Sequence, residues 1–215
     1  MDIFDEVRRL FKIKEPKGYP PEKVLAVKRH IGGLPPVLER FFLELALSGE
    51  FKDNCDRFYM ADSCYLYTYY YYYTFFSENQ GVWSAGIRER DLKKADPPVF
   101  VFSDDESKSR KTADSTTEFL TAALLYEASM GLEFTPDAVY WLEERDYARF
   151  EALFKKRSEH LKSWFKYPIT LHSDSRDAMI SLHHVKDHYE VRYSANNQQE
   201  FERLQLMLKD IVTEL

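Results

Sequence analysis

Apolar residues at Ile3, Phe4, Val7, Leu10 and Phe11 recur at helical spacing between Asp2 and Lys14. Acids come early in that stretch and lysines late, as the helix dipole prefers. The spacing predicts a first helix, broken by Pro16-Lys17-Gly18-Tyr19-Pro20-Pro21. A short helix or turn over Glu22 to His30 closes at Gly32-Gly33. Pro35 and Pro36 suit the first turn of the next helix, where a missing N–H costs little. That helix is predicted to about Leu47, with Leu38, Phe41, Phe42 and Leu45 inward and Gly49 at its end.

From Phe58 to Phe76 the period changes to two. Tyr65, Tyr67, Tyr69, Tyr71, Tyr73 and Phe75 fall on one face of a ribbon, and Leu66, Thr68, Tyr70, Tyr72, Thr74 and Phe76 on the other. One strand is predicted. Aromatics on both faces argue for a central strand covered on both sides or for an exposed aromatic face, and the aggregation hazard of a long aromatic edge favours the central place. Glu78-Asn79-Gln80-Gly81 is a tight turn, and Val82 and Trp83 lead the strand that leaves it. Arg88 to Lys94 reads as a charged turn or short helix. Pro97-Pro98 cannot donate ladder hydrogen bonds, so the pair marks the start of a third strand, Val99 to Phe102. Asp104 to Ala113 reads as a polar loop.

The second half mixes both periods. Phe119, Leu120, Ala123, Leu124 and Ala128 predict a helix over Thr116 to Met130, stopped by Gly131. Thr135-Pro136-Asp137 reads as a helix start. Tyr147, Phe150, Leu153, Phe154 and Leu161 predict a helix over Asp146 to Lys162. Ile169 to His172 is a strand. Ala178 to His184 and His188 to Tyr193 form a hairpin across Val185-Lys186-Asp187. Phe201, Leu204, Leu208 and Ile211 predict a terminal helix over Asn197 to Leu215. Helices flanking groups of locally paired strands mean α+β, with a curved, mainly antiparallel sheet flanked by helices. No repeat and no Gly/Ser/Pro-rich linker interrupts the chain, so residues 1–215 read as a single domain.

The net charge of −6 lowers the expectation of direct nucleic-acid binding, which needs a basic footprint. No apolar run reaches membrane-spanning length. The acidic start Met1-Asp2-Ile3-Phe4-Asp5-Glu6 lacks the basic and apolar regions of a signal peptide. The expectation is therefore a cytoplasmic protein without membrane contact, whose two cysteines, Cys55 and Cys64, are reduced.

Candidate chemistry is sparse. His172, His183, His184 and His188 lie near one another in sequence, but on a strand His183 and His184 face opposite ways. A metal-dependent hydrolase on this hairpin is the enzymatic alternative. Glu143-Glu144 and Asp104-Asp105-Glu106 are acid clusters of the kind usually solvated. Neither a nucleophile elbow nor a phosphate-binding glycine loop occurs. Cys64 has no nearby His in sequence and reads as a structural thiol. Glu133 to Glu151 carries six acids and two arginines, either a solvated face with internal ion pairs or an acidic docking patch. The expectation is no catalytic residue, no metal and no cofactor.

Three motifs resemble the SUKH superfamily, which includes yeast cell-wall-synthesis regulators and bacterial immunity proteins. Glu78-Asn79-Gln80-Gly81 is similar to the family's turn between its first sheet strands. Asp96-Pro97-Pro98-Val99-Phe100-Val101 is similar to its later Pro-Pro-led strand. Leu34-Pro35-Pro36-Val37-Leu38-Glu39-Arg40-Phe41-Phe42 is similar to its N-terminal leucine-proline and helix element. Where the family often carries a second Trp before the strand's Gly, this chain has Ala85 before Gly86. The resemblance covers Leu34 to Phe102. It implies a non-catalytic protein-binding module: an immunity protein that neutralises a bacterial polymorphic toxin, in many cases a nuclease, or alternatively a regulatory scaffold. A basic nuclease cleft would call for an acidic surface, for which Glu143, Glu144 and Asp146 are the candidates. The other candidate surface is the tyrosine run Tyr65, Tyr67, Tyr69, Tyr71 and Tyr73, since Tyr is favoured at binding hot spots.

Overall fold

A computed structural model describes residues 2–49, 56–67, 69–103, 108–164 and 167–214. Its helices are α1 (Ile3–Leu10), α2 (Pro21–His30), α3 (Pro36–Glu44), α4 (Thr116–Gly131), α5 (Tyr147–Leu153) and α6 (Gln198–Leu208). The strands are β1 (Arg57–Phe58), β2 (Tyr65–Tyr67), β3 (Tyr70–Ser77), β4 (Ser84–Arg88), β5 (Val99–Phe102), β6 (Arg110–Ala113), β7 (Tyr140–Glu143), β8 (Lys156–Trp164), β9 (Tyr167–His172), β10 (Ala178–Val185), β11 (His188–Ala195) and β12 (Val212–Glu214). The class is α+β, as the sequence predicts. The strands form two six-stranded sheets in place of the one expected. The chain divides into two compact units, one of Lys14–Leu120 with Lys162–Phe165 and the other of Met1–Ile13, Thr121–Leu161 and Lys166–Leu215. None of the described helices is long and apolar enough to cross a membrane.

In the first unit the sheet runs β1-β3-β4-β5-β6, with β2 also paired to β3. Residues Tyr72 to Phe76 of β3 are buried on both faces, which fits its central place. A bulge falls where Thr74 pairs with Gly86 and Phe76 with Ala85. The extra residue lets the neighbours Phe75 and Phe76 both reach Phe119, edge-on, at 5.5 and 5.6 Å between ring centres. Phe76 also meets Phe58, which meets Phe41 of α3, so rings tie the helix to the sheet. Asp96, just before the double proline, accepts a hydrogen bond from Thr117 N–H in the first turn of α4 at 2.9 Å. The Pro97 carbonyl accepts from the Thr116 hydroxyl at 2.8 Å, so the segment that precedes β5 also braces the next helix.

Glu78 builds the turn between β3 and β4. Its carboxylate accepts from the Gln80 and Val82 amides at 3.0 and 3.2 Å. Gly81 sits at φ +73°, a backbone only glycine adopts cheaply. Gly81→Val is expected to lower stability by about 1–2 kcal/mol, seen in thermal or urea unfolding. An unchanged melting temperature would refute a structural role for this turn.

In the second unit the sheet runs β12-β7-β11-β10-β9-β8, all antiparallel where the register is resolved. One face carries Ile180, Leu182, Val191 and Tyr193 against Phe150 and Phe154 near α5 and Leu204 and Leu208 of α6. On the other face Ser181 meets Ser129 of α4 at 2.8 Å, and Ser194 donates to the Ala128 carbonyl. Asn197 caps α6 by accepting from Glu200 N–H at 2.9 Å. Lys186, at φ +58°, makes the β10–β11 reversal.

Five predicted elements differ. Phe58 to Phe76 is three strands, because the chain reverses between Tyr67 and Tyr70. The loop expected over Asp104 to Ala113 contains β6, paired to β5; residues 104–107, with the acid cluster Asp104-Asp105-Glu106, lie outside the described residues. The Pro136-Asp137 signal opens a bend, after which Tyr140-Trp141-Leu142 pairs with β11 and β12. The helix expected to Lys162 stops at Leu153, and the charged stretch beyond it is the sheet-edge strand β8, where charge deters further pairing. The terminal helix ends at Leu208, and Val212 to Glu214 adds a strand to β7.

Candidate functional site

The tyrosine run makes a hairpin. Tyr65 pairs with Tyr72, Leu66 with Tyr71 and Tyr67 with Tyr70. The register puts Tyr65, Tyr67, Tyr70 and Tyr72 on one face and Leu66 and Tyr71 on the other. Tyr69 is at the tip, 87% exposed. Tyr65, Leu66, Tyr70 and Tyr71 are also exposed, so one short hairpin presents five large side chains to solvent on its two faces and tip. Thr68 lies outside the described residues.

Beneath this surface is a separate aromatic cluster of Tyr67, Tyr72, Phe100 and Phe102. Tyr67 stacks on Phe102 at 5.0 Å and donates to the Ser103 carbonyl at 2.6 Å. The Tyr72 hydroxyl pairs with Ser109 at 2.8 Å and accepts from Arg88 Nε at 3.3 Å. The Arg88 guanidinium lies 4.0 Å from the Phe100 ring centre and 4.3 Å from that of Tyr70. Arg90 approaches the same Tyr70 ring at 5.5 Å. Beside the hairpin opens a cavity of about 310 Å³ walled by Tyr59, Tyr65, Thr74, Val82, Trp83 and Phe102. Its remaining described lining is small or hydroxylic, and none of it is charged. The site offers aromatic faces, hydroxyls and two cations.

No family model, no curated protein and no solved structure matches this chain.

Of the five tyrosines read as one face, three are at the surface. Tyr67 and Tyr73 are corrections: both are buried. Tyr73 shares a face of β3 with Tyr71 but lies further along the strand, where Tyr72 to Phe76 are covered on both faces. Its hydroxyl has no hydrogen-bond partner among the described residues, and burial drives its ionisation upward. The acidic candidates lie in the other unit. Glu143 and Glu144 are exposed. Asp146 pairs with Arg149 at 2.9 Å and Arg145 at 3.6 Å. Glu144 lies 4.0 Å from His184, Glu151 accepts from the Tyr147 hydroxyl and Glu133 pairs with Lys12. Asp146 and Glu133 are therefore compensated by cations of their own unit.

The histidines are spread over two faces. Alternation puts His183 and His188 on one side and His184 and His172 on the other. His184 stacks on Tyr189, and His188 packs against Trp141. Among the described residues no three His, Cys, Asp or Glu side chains are placed to hold a metal. Cys64 is half-buried and free; burial, then the nearby Glu89, pushes its pKa up to about 11, so it is a poor nucleophile near neutrality. Cys55 lies outside the described residues.

Nothing local in the sequence marks Arg88, Arg90 or the cavity as a site. The run Arg88-Glu89-Arg90 reads as a charged turn, and only the fold brings both cations onto Tyr70.

Proposed function

We propose that this protein is a non-catalytic binding module of SUKH type: a cytoplasmic immunity protein that binds and neutralises a bacterial polymorphic toxin, with nuclease toxins included. The crowding of Tyr65, Leu66, Tyr69, Tyr70 and Tyr71 at one exposed hairpin carries this reading. Tyrosine at an interface buries a large ring with little entropy to lose and keeps a polar tip. The motif resemblance between Leu34 and Phe102 supports it, since that segment contains the hairpin.

The test uses the product of the adjacent open reading frame, which this reading expects to carry a toxic domain. Tyr69→Ala with Tyr71→Ala is expected to weaken that complex by about 2–4 kcal/mol, read by calorimetry, with little change in melting temperature. Unchanged affinity would reject the hairpin as the binding surface. Charge reversal at Glu143 and Glu144 gives the contrasting outcome. If it slows association strongly at low salt while the tyrosine variants bind normally, the acidic surface is the contact. A housekeeping partner in the toxin's place would make the protein a regulatory scaffold. Stoichiometric zinc, with hydrolase activity lost in His183→Ala or His188→Ala, would overturn the binding-module reading.

A further inference from the structure

We propose that the hairpin and its cavity receive an extended, acidic segment of the partner: an aromatic anchor side chain in the cavity, and a carboxylate on Arg88 and Arg90 about three residues further on. The inference rests on the binding-module reading and specifies its chemistry. The two arginines carry it. Both lie over the Tyr70 ring, and neither has a carboxylate partner among the described residues. In a chain of net charge −6, two cations without a carboxylate partner among the described residues, on an exposed aromatic surface, mark a place for an anion. Glu89, between them in sequence, is exposed and forms no ion pair with either among the described residues.

The cavity sets the second requirement. Its described lining is uncharged and sets the rings of Trp83, Phe102, Tyr59 and Tyr65 beside the hydroxyls of Ser63, Thr74, Ser84 and Ser103, so it suits an aromatic group with a hydrogen-bonding edge. At about 310 Å³ it has room for one aromatic side chain. The spacing follows from strand register. Tyr65 on the cavity wall pairs with Tyr72, and Tyr72 pairs with Arg88. Two strand spacings are about 10 Å, which an extended peptide covers in about three residues. Arg88 is already held by Tyr72 and two rings, so little freedom is lost when it meets a carboxylate.

The probe is the blocked peptide acetyl-Trp-Ala-Ala-Glu-Glu-amide, titrated into isotope-labelled protein. Its controls are the Gln-Gln isostere and inorganic phosphate. Expected are resonance shifts at Tyr65, the Trp83 indole, Ser84 and the Arg88 and Arg90 side chains. The Gln peptide is expected to bind about tenfold more weakly. Arg90→Gln, which removes a cation without touching the core, should bring the two peptides close to parity. Arg88→Gln should do the same, its melting temperature checking that the Phe100 packing survives. No shift at these positions with millimolar peptide, or equal binding of the two peptides, overturns the proposal. Phosphate that binds the arginines as tightly as the peptide also overturns it, in favour of an oxyanion site. With the full partner, a complex that tolerates both arginine substitutions but not the tyrosine ones defeats this proposal alone. A complex that tolerates all of them defeats the hairpin reading itself.

Discussion

Gly18→Ala is expected to lower the unfolding free energy by about 3 kcal/mol or more. A methyl at this position would lie on the Leu43 carbonyl and 2.5 Å from the Phe42 oxygen. Neither strand of chain is free to retreat. Tyr19 N–H donates to the Phe42 carbonyl at 2.7 Å, and Leu47 N–H to the Lys17 carbonyl at 2.8 Å. The Lys17 amide also donates to Ser48 Oγ at 3.1 Å. Relief of the clash therefore breaks hydrogen bonds that hold the end of α3. Gly49→Ala is the matched control, since no described atom lies within 4 Å of its added methyl. Urea midpoints that coincide for the two variants would refute the close-approach account.

Stability is also expected to fall by about 3 kcal/mol as pH drops from 7 to 4, through His172. Its side chain is fully buried in β9, edge-on to Phe150, with Nε2 3.1 Å from Thr170 Oγ1. Burial lowers its pKa from 6.5 to about 4; the backbone at Phe154 and the charge of Glu151 oppose this, and Lys156 adds to it. The unfolded chain takes up the proton near 6.5 and the folded one only near 4, so in that window the unfolded state binds more protons. Stability is then full above about 6.5 and declines as pH falls toward 4. His183, also lowered by burial, acts in the same direction. Urea unfolding between pH 4.5 and 8 should show the slope, and His172→Leu should flatten most of it. A variant with the slope of the parent would remove His172 as the cause.

The helix at Ile3, the Pro-Pro start of α3, the helix over Thr116 to Gly131 and the β10–β11 hairpin were legible because each is specified by neighbours in sequence. Caps, prolines and apolar spacing act over a few residues. Gly81 was legible for the same reason, as its φ is a local property. Gly18 was not. Its need for a bare backbone comes from Leu43, a residue 25 positions away in a different element.

The binding surface shows the same division. Period-two alternation identified an aromatic ribbon with tyrosine on both faces. Alternation continues through a two-residue reversal unless glycine, asparagine or proline announces it, and Tyr67-Thr68-Tyr69-Tyr70 contains none. The reversal was therefore decided by tertiary pairing, and packing in the sheet buried Tyr67 against Phe102 and Tyr73 within β3. Strands β6, β8 and β12 are similar cases, with short or charged sequences that become strands by adding to a sheet already present. The sequence by itself determined the α+β class, the helix starts, the tight turns and the aromatic character of the hairpin. Tertiary structure alone decided that the strands form two sheets, which tyrosines reach solvent, and that Arg88 and Arg90 meet on Tyr70. The physical reason is range: dihedral preference and periodicity act within a turn or two of chain, whereas register and burial depend on partners distant in sequence.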